Sequence, residues 1–146
     1  MPKSKFRRVD NLTPTQRAAC MAAVTGINTK PEICVRGALH SLGYRYRLHR
    51  KDLPGKPDIA LAPYRVVIFV HGCFWHMHGC RRGKSTPKTN AKFWRIKRTE
   101  TKRRDRRAIS ALREDGWTVF IVWECQTRDV LKLRRRVSTF MRCACD

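Results

Sequence analysis

The chain has 146 residues, with 33 lysines and arginines against 11 aspartates and glutamates and a formal net charge of +22. That length, with 42% hydrophobic residues, suits one domain with one core. The charge lies far outside the range of an ordinary cytosolic enzyme and implies a polyanionic partner, bound more weakly as salt rises. No apolar run approaches the ~20 residues that span a bilayer. No hydrophobic segment follows the charges of residues 1–8, so neither a membrane role nor a secretory signal is expected. The seven cysteines then belong to a reducing compartment, where clustered Cys and His mean metal more often than disulfides.

Residues 1–12 form a basic arm with little to pack, and 13–146 a single domain. Thr13-Pro14-Thr15-Gln16 is a capping-box pattern with proline at the first helical position, and Gly26 closes that helix. Thr29-Lys30-Pro31-Glu32 repeats the signal, and Val35, Ala38, Leu39 and Leu42 fall at helical spacing up to Gly43. Cys20 and Cys34 read as small core side chains of these helices. Tyr44, Tyr46 and Leu48 alternate with Arg45, Arg47 and His49, which predicts a half-buried strand. After a turn at Leu53–Pro57, Asp58–Leu61 and Arg65–Val70 read as two strands, the second apolar on both faces and so central in a sheet. Residues 71–92 make a long irregular segment of the kind that carries function. A basic helix runs from about Asn90 to Asp115 and stops at Gly116. Trp117–Trp123 is another buried strand, and Val130, Leu133, Val137, Phe140 and Met141 mark a last amphipathic helix. Cys143 and Cys145 have no assigned role. The order α-α-β-β-β-α-β-α predicts an α/β fold, a mixed sheet flanked by helices.

The densest chemistry lies in His71-Gly72-Cys73-Phe74-Trp75-His76-Met77-His78-Gly79-Cys80. Cys73, His78 and Cys80 supply soft donors for a structural zinc (Zn2+), and Cys125, after the strand ending Val122-Trp123-Glu124, is the fourth. Two neighbouring strands then deliver their ends to one ion and close the long loop onto the core. A closed set of four ligands leaves no open position, so this metal is scaffold. Hydrolysing a phosphodiester also needs a hard cation on oxygen ligands. Asp58 offers a carboxylate and Val70 a backbone carbonyl, and either His71 or His76 can move a proton near neutral pH. Phe74, Trp75 and Trp94 sit in a polar, cationic context where stacking is the better reading than core burial. Lys102, Arg103 and Arg104 read as phosphate contacts.

At these residues the chain resembles the very-short-patch repair (Vsr) endonucleases. The matching stretches are Leu53-Pro54-Gly55-Lys56-Pro57-Asp58, the run from Val67 to His76, Phe93-Trp94, Arg104-Asp105-Arg106-Arg107, and Gly116-Trp117 through Val122-Trp123-Glu124-Cys125. The resemblance implies a restriction-endonuclease-like (PD-(D/E)xK-related) fold and a nick 5′ of the T in a T:G mismatch. It implies Asp58 as a magnesium (Mg2+) ligand with the Val70 carbonyl, His71 at the scissile phosphate and His76 activating water. Cys73, His78, Cys80 and Cys125 become the zinc ligands, Glu32 an indirect support of the magnesium, and Asp105 a supporting acid. Phe74, Trp75 and Trp94 become the wedge in the duplex, and Met21 with the basic arm grips the minor groove. A monomer on T:G-containing double-stranded DNA, in the bacterial cytoplasm with the nucleoid, and with mismatch-repair accessory proteins as possible partners, completes the implied picture. Two departures stand out: Val70 replaces the family's usual threonine, and Met77 its usual histidine. The rival expectations are a zinc-stabilised, non-catalytic nucleic-acid-binding module and a nicking nuclease acting on intact duplex.

Overall fold

In the computed structural model of the protein, residues 28–145 are described. The basic arm, the helix expected over 13–26, Cys20 and Met21 lie outside them. Helix α1, Lys30–Ser41, begins where Thr29 Oγ1 accepts the Glu32 N–H at 3.4 Å, with Pro31 in the first turn. It ends at Leu42, followed by Gly43 at φ +84°, a left-handed stop that suits glycine. The expected capping box is only half made. The Glu32 carboxylate accepts from the Asn28 N–H and from Arg36, and is drawn into the site described below.

Four strands follow: β1 Arg47–Leu48, β2 Ile59–Leu61, β3 Val66–His71 and β4 Thr118–Trp123, in the order β1-β2-β3-β4. The first two pairings are antiparallel, and β3–β4 is parallel with His71 opposite Trp123. A short 3-10 turn, Ala62–Tyr64, joins β2 to β3. Helix α2 (Arg81–Lys84) interrupts the irregular segment, α3 (Ala91–Glu114) makes the crossover to β4, and α4 (Val130–Cys145) closes the chain.

Each face of the sheet is covered. Val35 and Leu39 of α1 and Leu133, Val137 and Met141 of α4 pack on Ile59, Leu61, Val66, Ile68 and Val122. On the other face Leu112 of α3 meets Ala60, Val67, Phe69 and Trp117. The Leu53–Pro57 turn docks on α3 through Gly55 at φ +71°. A Cβ there would lie 2.5 Å from that of Ala108, so no larger residue fits.

Three expectations are corrected. The strand expected over Tyr44–His49 pairs at Arg47–Leu48 alone. Its alternation breaks there, because His49 takes a left-handed φ of +48° and turns inward while Leu48 is 39% exposed. The strand expected over Trp117–Trp123 lies at the edge of the described sheet and is buried on alternate residues, not throughout. Val130, at the first turn of α4, is 63% exposed because the packed face begins at Leu133. Among the described residues no helix is long and apolar enough to cross a membrane.

Candidate active site and thiolate cluster

Asp58 immediately precedes β2, where the antiparallel register brings it beside the end of β3. Its Oδ2 accepts the Val70 N–H at 2.7 Å. Burial pushes this carboxyl up to about 6; the Val70 N–H opposes that, and the nearby Glu32 carboxylate adds to it. The ligating atoms of Asp58, Glu32 and His49 all lie within 4.8 Å of one another. Arg36 Nη2 donates to Glu32 Oε2 at 3.0 Å and lies 3.2 Å from His49 Nε2, which is itself 3.7 Å from Glu32 Oε2. His49 and Arg36 were not expected here. The alternation of residues 44–49 sends His49 to solvent, and no pattern in the sequence marks its left-handed backbone.

His71 closes β3 and is buried, with its Nδ1 unpartnered among the described residues. Its ring stacks on His76 at 3.8 Å between centroids and 3° between planes. Burial, then the neighbouring His76, lowers the His71 pKa to about 4, so the ring is neutral at physiological pH. Asp105, projecting from the middle of α3, meets His76 Nδ1 at 2.5 Å. An aspartate on Nδ1 fixes the tautomer and leaves Nε2 free to accept a proton. His76 is close enough to act electrostatically on Asp58, lowering its pKa slightly, and the two groups flank the end of β3. The arrangement combines buried oxygen donors suited to a hard cation with an oriented base.

Beyond His71 the chain turns tightly, with the His78 N–H on the Cys73 carbonyl at 3.0 Å. Cys73, His78, Cys80 and Cys125 converge, all four donor atoms within 4.8 Å of one another. Cys125 Sγ is 3.5 Å from His78 Nδ1, and the Cys125 N–H donates to Cys73 Sγ at 3.4 Å. Parallel pairing of β3 with β4 explains why a residue so distant in sequence arrives here. Burial pushes the Cys73 thiol up to about 12, whereas the Gly83 N–H leads the groups that bring Cys80 down to about 6. Three thiols and an imidazole at this separation, one thiol fully buried, fit a soft tetrahedral cation that would hold them ionised. The His78 ring also stacks on Trp123 at 4.2 Å.

Phe74, Trp75 and Trp94 gather edge to face, with centroids 5.4 to 5.9 Å apart and each ring half-buried. Phe93 extends the cluster, 56% exposed. The loop bearing Phe74 is tied to α3 by Arg98, a buried cation that sequence reasoning missed. It donates to the carbonyls of Phe74 at 2.7 Å, Ser85 at 2.9 Å and Gly83, and its guanidinium lies 4.4 Å over the Phe74 ring. In sequence it is one more arginine of a basic helix. Lys102, Arg103 and Arg104 are exposed on the same helix.

A family model described as DNA mismatch endonuclease Vsr matches residues 9–82. The chain belongs to the Vsr family. It is 48% identical over 132 residues to the Type II nicking enzyme V.XorIIP of Xanthomonas oryzae pv. oryzae, covering 90% of this chain and 96% of that one. It is 39% identical over 133 residues to the Type II nicking enzyme V.NmeAIP of Neisseria meningitidis, covering 91% and 94%. With the DNA mismatch endonuclease Vsr of Escherichia coli it shares 44% identity over 117 residues, 80% of this chain and 74% of that one. The Vsr match includes Glu32, Asp58, His71, Cys73, His76, His78 and Cys80. Trp94, Asp105 and Cys125 lie beyond residue 82 and reach the site through α3 and β4.

Proposed function

We propose that the protein is a DNA endonuclease that nicks one strand of a duplex 5′ of the T in a T:G mismatch, the product of 5-methylcytosine deamination, to begin very short patch repair. The convergence of Asp58, His71, His76 and Asp105 at the end of β3 carries this reading. Asp58, the Val70 carbonyl and, indirectly, Glu32 would hold magnesium. When bound, the cation supplies charge neutralisation at the phosphate. His76, oriented by Asp105 through Nδ1, takes the proton of the attacking water at Nε2. Neutral His71, packed flat against it, contacts the scissile phosphate and limits rotation of the His76 ring.

In this reading Cys73, His78, Cys80 and Cys125 hold a structural zinc that fixes the loop carrying Phe74 and Trp75. Those rings and Trp94 insert beside the mismatch, where a poorly stacked pair lowers the cost of unstacking. Lys102, Arg103 and Arg104 bear on phosphates, and Met21 with the basic arm follows the minor groove. The protein acts as a monomer on DNA in the bacterial cytoplasm, in the neighbourhood of repair accessory proteins. A non-catalytic zinc module gives no reason for an Asp105-oriented His76 and a half-buried Asp58 at the end of one strand. A nuclease acting on intact duplex is the second reading, favoured by the names of the Type II nicking relatives. The test is nicking of a T:G-containing duplex with and without magnesium. Nicking is expected only with the metal and not by Asp58→Ala; metal-independent nicking, or full activity of the variant, overturns the assignment.

A further inference from the structure

Helix α4 carries Lys132, Arg134, Arg135, Arg136 and Arg142 and no acidic residue, and all five cations are exposed. By contrast, α3 intersperses Glu100, Asp105 and Glu114 among its cations. The α4 arrangement works against the helix itself. Lys132 repels Arg135 and Arg136 one turn away, and four of the five cations lie in the N-terminal half, where the helix dipole disfavours them. Among the described residues no ion pair involves α4. The acid beside it, Asp129, accepts the Lys132 N–H as a cap. Among the described residues, Arg136 lies 5.5 Å over the Phe120 ring.

Three of the others line a groove between α4 and the end of α1, where Arg134, Arg135 and Arg142 alternate with the Ser138 and Thr139 hydroxyls over Leu42. Guanidinium forks interleaved with hydroxyl donors suit phosphate oxygens. From Lys132 to Arg142 the helix rises ~15 Å, a length over which a duplex carries roughly nine phosphates. This groove lies across the sheet from α3, whose N-terminal half contributes Trp94 to the aromatic cluster.

We propose that the outer face of α4 is a second, non-catalytic site for duplex DNA, gripping the phosphate backbone of a segment other than the one being nicked. It rests on the reading of the protein as a DNA nuclease, and it lets the enzyme keep hold of intact DNA while the β3 end engages a lesion.

The test uses Arg134→Gln/Arg135→Gln/Arg142→Gln, which keeps good helix formers at exposed positions. Protein held on an immobilised T:G duplex is asked to capture a second, labelled, fully matched duplex, and nicking of the immobilised strand is followed in parallel. The wild type captures the second duplex. The variant captures at least about ten-fold less, with a salt slope shallower by up to ~2.7 for three lost phosphate contacts, and nicks at an unchanged rate. Equal capture by both proteins overturns the proposal. So does a parallel loss of nicking in a variant with unchanged thermal unfolding, since α4 would then belong to the catalytic grip. Displacement of the captured duplex by polyglutamate as readily as by unlabelled DNA also overturns it, in favour of an acidic protein partner. Absence of nicking by both proteins sinks the nuclease assignment, while capture still reports on α4.

Discussion

Desolvation acts on Asp58 and on His71 with opposite consequences for pH. The Asp58 carboxyl rises from 3.8 to about 6, so between those values the native state binds more protons than the unfolded chain and stability falls as pH rises. His71 falls from 6.5 to about 4, so its contribution is complete above 6.5 and is lost as pH drops through 4. Over pH 4 to 6 the two oppose each other. Asp58→Asn, in metal-free protein, is therefore expected to gain stability relative to the wild type as pH rises, by up to about 3 kcal/mol. Urea unfolding midpoints at the two ends of that window check it; a difference independent of pH would mean that Asp58 ionises freely. If Asp58 holds magnesium as proposed, protons compete with the cation for its carboxylate, so the magnesium concentration that nicking requires should rise as pH falls through about 6, and nicking should vanish in Asp58→Ala. Asp58, His71 and His76 were legible from residue type and crowding in sequence. His49 was not, because its inward turn depends on one left-handed backbone angle.

Among the elements, the loop between β3 and α3 is held largely by polar ties. It is pinned at the thiolate cluster, by Arg82 on Glu124 at 2.7 Å, and by Arg98 on three carbonyls. Replacing Arg98 by Met leaves buried carbonyls without donors. A destabilisation of about 2–4 kcal/mol follows, together with loss of mismatch preference because Phe74 and Trp75 lose their platform. Thermal unfolding and nicking read these two effects separately. If the thiols hold zinc, purified protein contains one zinc per chain, and Cys125→Ser lowers the unfolding temperature before it alters the chemistry of what stays folded. Elemental analysis showing active protein without zinc would contradict this. The fold was largely readable at this scale, since caps at Thr29 and Gly43 and the apolar run of β3 each act locally. The short β1 and the edge position of β4 were not, because pairing partners are set by the whole sheet. Arg98 was hidden for the same reason, since its partners lie in a loop whose path depends on the thiolate cluster.

At the scale of the molecule, the two helical layers give the sheet two cationic sides, and the residues proposed as catalytic gather where β3 and β4 end. In the proposed reading, exposed arginines supply affinity without sequence information, while the half-buried aromatics of the loop and α3 supply discrimination. Binding should therefore weaken steeply with salt, and Trp75→Ala should leave the salt slope nearly unchanged while slowing cleavage of mismatched DNA. The most direct test is the single-turnover nicking rate on a duplex with one T:G pair against the same duplex fully matched, across many flanking sequences, with the nick mapped. The account predicts a nick on the T strand, 5′ of the T, and a preference of roughly ten- to hundred-fold for the mismatch, from ~1–3 kcal/mol of unstacking saved. Equal rates on both duplexes would contradict it.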